Sequence, residues 1–191
     1  MKKFITNPYF KKGLPGDNGI DPVSIDVETV KKLLSLCPKA AETPLAEAAK
    51  LSQELGIKKL WLKDERDRMG LGSFKALGAA IVIASDAAKE LKSLSKDQDW
   101  NSALNGKTYI SASAGNHGIS LAAGARIFGA KAVIYLSKNV PPSFADKIRS
   151  FGAEVVVHGN DYEESLEGAK QEAEKNGWML LSEVTCLKIV N

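Results

Sequence analysis

Cysteine and histidine are scarce in this chain, two of each in 191 residues. Cys37 and Cys186 form no CxxC pair, and with only His117 and His158 beside them no metal-ligand spacing exists, so no metal centre is expected. Long apolar runs are missing too. None could cross a bilayer, and residues 1–15 are polar and aromatic, without the apolar core of a signal peptide. Concentrated charge is also lacking: the formal net charge is +3, and the basic pairs Lys2-Lys3, Lys11-Lys12 and Lys31-Lys32 are brief, with no aromatic residues interleaved. That pattern argues against a nucleic-acid partner. No repeat or low-complexity segment stands out. The expectation is a cytoplasmic globular protein that uses neither nucleic acid nor membrane as a partner.

Patterned segments fill the rest. Residues 1–22 carry Gly, Pro, Asn and Asp punctuation and read as an irregular lead-in. Helices are expected over 23–36, with Ser24 or Asp26 as cap, and over 46–55, ended by Gly56. A first strand follows at 57–63. Beyond it the pattern is regular: a long alanine-rich helix at 74–94, a polar connector at 95–106, strands at 108–112, 131–136, 154–158 and 178–181, and helices at 116–128, 141–151 and 161–176. Strands alternating with helices at this spacing predict an α/β fold, a mostly parallel sheet with helices on both faces. Short apolar runs such as Val155-Val156-Val157 suit strands buried on both sides.

Two loops carry chemistry. In Gly70-Leu71-Gly72-Ser73-Phe74-Lys75-Ala76 a lone lysine stands between a glycine-rich turn and an apolar helix. An amine held there can form an imine with an aldehyde cofactor. Taken alone, Lys75 reads more readily as a surface lysine on an amphipathic helix, since most lysines are exposed. The second loop, Ser113-Ala114-Gly115-Asn116-His117-Gly118, joins a strand to a helix at the carboxyl edge of the sheet, where open α/β sheets bind ligands. Asn116 suits a hydrogen bond to a ligand or a plain helix cap. His117 reads as a surface histidine or one standing behind the site. The backbone N–H groups of residues 113–117 could receive a carboxylate.

These two loops, with Thr43-Pro44-Leu45, Leu62-Lys63-Asp64-Glu65 and Gly152-Ala153-Glu154-Val155 in collinear order, resemble the pyridoxal-phosphate enzymes of the tryptophan synthase β-subunit fold, fold type II. Within it the chain looks similar to diaminopropionate ammonia-lyases, with threonine dehydratases as near neighbours and cysteine synthases in the same fold. The resemblance implies pyridoxal 5′-phosphate as cofactor and a small amino acid as substrate. It implies that Lys75 holds the cofactor and moves the substrate's α-proton, that Asn116 bonds the pyridoxal 3′-hydroxyl, and that Ser113, Ala114, Gly115 and His117 line the substrate carboxylate pocket. Ala114 stands where those lyases typically carry an acid that serves the D-isomer, and alanine cannot take a proton. Glu183 stands where they carry a second acid, serving the L-isomer; it reads equally as an exposed acid at a strand end.

The resemblance covers nearly all of the chain but only about half of the family architecture. It implies an incomplete large domain at 1–79, a small α/β domain at 80–182 and a truncated tail at 183–191. The half that would carry the phosphate cup is absent, which implies weak cofactor binding unless another chain completes the site. A non-catalytic remnant is the alternative of a different class. Apolar surface left bare in the first part is a reason to expect a homodimer.

Overall fold

The computed structural model describes residues 26–182. Asp26 opens the first helix, α1 (Val27–Leu36), its carboxylate accepting the Thr29 N–H at 3.0 Å. Thr43-Pro44 then leads into β1 (Leu45–Glu47), helix α2 (Ala49–Glu54) and β2 (Trp61–Lys63). β1 and β2 pair antiparallel, Leu45 opposite Lys63 and Glu47 opposite Trp61. The helix expected from residue 46 is therefore a strand followed by a shorter helix. Leu-Ala-Glu-Ala has high helix propensity, and cross-strand pairing overrides it.

After a 3₁₀ turn at Arg68–Gly70 comes α3 (Ala76–Leu91), unbroken across residues 79–80. Then follow β3 (Thr108–Ala112), α4 (Asn116–Ile127), β4 (Lys131–Leu136), α5 (Pro142–Ser150), β5 (Glu154–Val157), α6 (Tyr162–Asn176) and β6 (Met179–Leu180). β3 to β6 form one parallel sheet in the order β5-β4-β3-β6. Strand alternation sends Tyr109, Ile134 and Leu136 to the face covered by α3, α4 and α5, and Ile110, Val133 and Tyr135 to the face covered by α6. Helices thus lie on both faces, as the pattern predicts. Tyr109 is buried, and its hydroxyl donates to Asp86 of α3 at 2.9 Å. Burial first, then the Asp86 charge, pushes its hydroxyl well above the usual tyrosine range.

The strand order creates the place for a site. The chain steps outward from β3 to β4 to β5, then returns through α6 to lay β6 on the other side of β3. The carboxyl ends of β3 and β6 are therefore neighbours brought from distant parts of the chain, the kind of sheet edge where open α/β folds bind ligands in a crevice.

Candidate active site at the starts of α3 and α4

The β3–α4 loop sits at that crevice. Ser113 and His117 are buried, Ala114 is half-buried, and Gly115 and Asn116 are exposed. The Ser113 hydroxyl accepts the Gly115 N–H at 3.4 Å, a serine turn that delivers the chain into the helix. Gly115 occupies the cap position and Asn116 is the first helical residue. Asn116 is thus not the helix cap; its amide is left at the mouth of the loop. A Cβ at Gly115 would meet nothing within 4 Å, whereas one at Gly118 would lie 2.5 Å from the Ser113 carbonyl oxygen. Gly118 is what lets the loop fold back on its own helix.

His117 departs from the surface reading. Its Nε2 lies 2.9 Å from the Leu181 carbonyl oxygen, just past the end of β6. A carbonyl only accepts, so Nε2 carries the proton and the ring ties the two sides of the crevice together. Its backbone N–H, in the first turn of α4, has no intrahelical acceptor and joins the donors at the helix start. Ser182, the last described residue, is buried, and Glu183 lies outside the described residues.

The Lys75 turn is built separately and brought to the same end. Met69, Gly70 and Gly72 have φ of 51°, 71° and 81°, a left-handed run that two glycines make accessible. The Ser73 hydroxyl accepts the Lys75 N–H at 3.2 Å, repeating the serine turn before α4. Lys75 is half-buried at the cap position of α3. Further back, a polar cluster anchors the turn. Arg68 makes two hydrogen bonds of 2.6 Å to Glu65, donates to Thr43 Oγ1 at 2.7 Å, and reaches the Ala41 carbonyl at 3.0 Å. Thr43 donates to Glu65 at 2.6 Å. Hydrogen bonds from Arg68 and then Thr43 bring the Glu65 carboxyl down to about 2. Sequence reasoning took in Thr43, Glu65 and Arg68 only within the resemblance and missed that they bond to one another; a threonine, an acid and an arginine dispersed over 26 positions leave no local signal.

The packing of α3 on α4 joins the two loops. Ser120 donates from its buried hydroxyl to the Ala76 carbonyl at 3.1 Å. One turn on, a Cβ at Gly124 would be 3.5 Å from Ala80 Cα and 3.1 Å from Ile83 Cδ1. Ala76 opposite Ser120 and Ala80 opposite Gly124 mean that the helices rise in the same direction. Their first turns lie at one end. Lys75 immediately precedes Ala76, and Asn116 lies one turn before Ser120 on the same helix face. A primary amine, an exposed amide and the free N–H groups of a helix start thus gather at the crevice, a donor set that fits an aromatic aldehyde with a carboxylate beside it. An apolar cleft of about 650 Å³ lies elsewhere, between α1, the middle of α3 and the second half of α4, walled by Leu33, Ile81, Trp100 and Ile127.

Comparison with known proteins bears on the family and the fold. The model of the family described as "Pyridoxal-phosphate dependent enzyme" matches residues 36–190. Diaminopropionate ammonia-lyase of Salmonella typhimurium is 34% identical over 154 residues, 76% of this chain and 38% of that protein. The biosynthetic L-threonine dehydratase of Haemophilus influenzae is 34% identical over 86% of this chain and 27% of its own length. The crystal structure of Escherichia coli diaminopropionate ammonia-lyase in its apo form superposes with a TM-score of 0.70 at 29% identity, over 84% of this chain and 46% of that one. The chain spans less than half the length of these relatives.

Proposed function

The chain belongs to the pyridoxal-phosphate dependent enzymes, in the tryptophan synthase β-like fold, and from that premise we propose that it is a carbon–nitrogen lyase acting on L-2,3-diaminopropionate to give pyruvate and ammonia. The observation that carries the proposal is the paired start of α3 and α4, which sets Lys75 and Asn116 at one end of two helices pinned side by side.

When bound, the cofactor would supply an electron sink beside the substrate's Cα. The protein's own part follows from the residues. Lys75 Nζ would hold the aldehyde carbon and, once the substrate's amine has displaced it from that carbon, would be free to take the proton from Cα. The Asn116 amide would donate to the ring hydroxyl. Backbone N–H groups at residues 113–117 receive the substrate carboxylate at the positive end of α4. His117 contributes its backbone N–H, its ring being committed to Leu181. Ala114 cannot take a proton, so the proposal is for the L-isomer, with Glu183 as the acid that serves it. Residues 1–79 and 80–182 are proposed as parts of a large and a small domain. The exposed Leu45, Leu55, Trp61 and Leu62 support pairing with a second copy.

The second reading is a threonine or serine dehydratase, favoured by the 34% identity to a threonine dehydratase over 86% of the chain. Two measurements decide. Borohydride reduction in the presence of pyridoxal phosphate should fix the cofactor on Lys75 ahead of the other lysines, with the adduct lost in Lys75→Ala. Ammonia release should be faster from L-2,3-diaminopropionate than from L-serine or L-threonine. Labelling without preference for Lys75 leaves the chain a non-catalytic module; faster release from L-threonine makes it a dehydratase.

A further inference from the structure

We infer that Ser120 is a positioning residue: its hydrogen bond to the Ala76 carbonyl sets the register of α3 against α4, and with it the spacing of the Lys75 amine and the Asn116 amide. The inference rests on the proposed roles of those two residues. A serine inside a helix ordinarily returns its proton to a carbonyl three or four residues back in its own helix. Ser120 instead donates across the interface to a carbonyl 44 positions earlier in the chain, from a fully buried position. The acceptor belongs to the first residue of α3, adjacent to Lys75.

The surrounding contact makes that bond decisive for register. One turn further on, Gly124 offers no side chain, and the helices close on Ala80 and Ile83 through small apolar surfaces. Such contacts set how near the two helices come, but they carry no directional bond of their own. A hydrogen bond is directional. Sliding α3 by one residue moves Lys75 about 1.5 Å along the axis. Displacements of that order cost a reacting pair on the order of a hundredfold. Asn116, Ser120 and Gly124 lie one turn apart on one stripe of α4, so the pin acts one turn from the group it serves.

The test reads geometry directly. In a Cys37→Ser/Cys186→Ser background, Lys75→Cys and Asn116→Cys are bridged with a graded series of bifunctional methanethiosulfonates, and the shortest effective reagent is chosen. With Ser120→Ala, bridging by that reagent should slow roughly fivefold, the equivalent of one hydrogen bond of ordinary net strength, and a longer reagent should be less affected. Ser120→Thr, which keeps the hydroxyl, should recover most of the rate; circular dichroism checks that each variant is folded. Equal bridging in Ser120 and Ser120→Ala proteins overturns the inference, as does a parent that no reagent bridges. Bridging that depends on Ser120 without a cofactor adduct at Lys75 upholds the pin and removes the proposed function instead.

Discussion

The central strands β3 and β4 and the two strands β1 and β2 are made of similar residues and have opposite environments. Tyr109, Ile110 and Ile134 are at most 1% exposed, while Leu45, Trp61 and Leu62 are 50–60% exposed. The difference is topological. Each central strand of the parallel sheet has a neighbour on both edges and helices on both faces. Among the described residues the antiparallel pair has only itself, and every residue of both strands is exposed. A two-stranded ribbon is marginal in water. What holds this one is polar: the Arg68–Glu65–Thr43 cluster, and Lys63 Nζ donating to the Thr43 carbonyl at 2.5 Å. One half of the chain is secured by burial and the other by directed charge-assisted bonds, and Lys75 stands where they meet.

The largest expected effect sharpens that contrast. Ile134→Ala removes a fully buried side chain and should cost about 3 kcal/mol in urea unfolding, whereas Leu62→Ala, measured at a protein concentration low enough to keep the chain monomeric, should stay within about 0.5 kcal/mol. A Leu62 effect as large as that of Ile134 would break the comparison, because it would mean that the ribbon is covered in solution. Next comes Gly118→Ala. The added methyl meets the Ser113 carbonyl at 2.5 Å, a backbone atom that cannot turn aside. The cost should be about 2 kcal/mol, read by thermal unfolding, with loss of protection concentrated in residues 112–118.

Acid should act on the polar half first. Glu65 is depressed from its ordinary 4.5 to about 2 by Arg68 and Thr43. A carboxyl lowered by folding contributes stability that is full above its unfolded value and lost as pH falls through its folded one. Amides of residues 43–68 should therefore lose exchange protection between pH 4.5 and about 2, while β3 and β4 keep theirs. Glu65→Gln should produce the same pattern at neutral pH. Simultaneous loss in both halves would show that the cluster does not hold the ribbon independently.

How much of this was legible follows from where each signal lies. The strands β3–β5 and helices α3–α6 could be read because alternation, helical spacing and the stops Gly129, Gly152 and Gly177 are local. Lys75 and the 113–118 loop could be placed at two helix starts on the same ground. β1 was not, since its partner Trp61–Lys63 decides against its helix propensity. The strand expected at 57–63 shortens to the part that pairs. Ser120, Arg68 and the buried ring of His117 act through partners 25 to 64 positions away, and composition near each residue says nothing of them.

The smallest expected effect separates position from role at Asn116. An asparagine that caps a helix contributes about 1 kcal/mol, lost on truncation to alanine. Here the cap position belongs to Gly115, no side chain caps the helix, and Asn116 is exposed at the first helical residue. Asn116→Ala should therefore leave unfolding within about 0.5 kcal/mol of the parent, since alanine also suits a helix interior. Cofactor trapping on Lys75 should fall all the same, because the amide proposed to meet the ring hydroxyl is gone. A stability loss near 1 kcal/mol with unchanged trapping would return Asn116 to plain helix chemistry. It would leave Lys75 as the one polar side chain proposed to hold the cofactor at the paired helix starts.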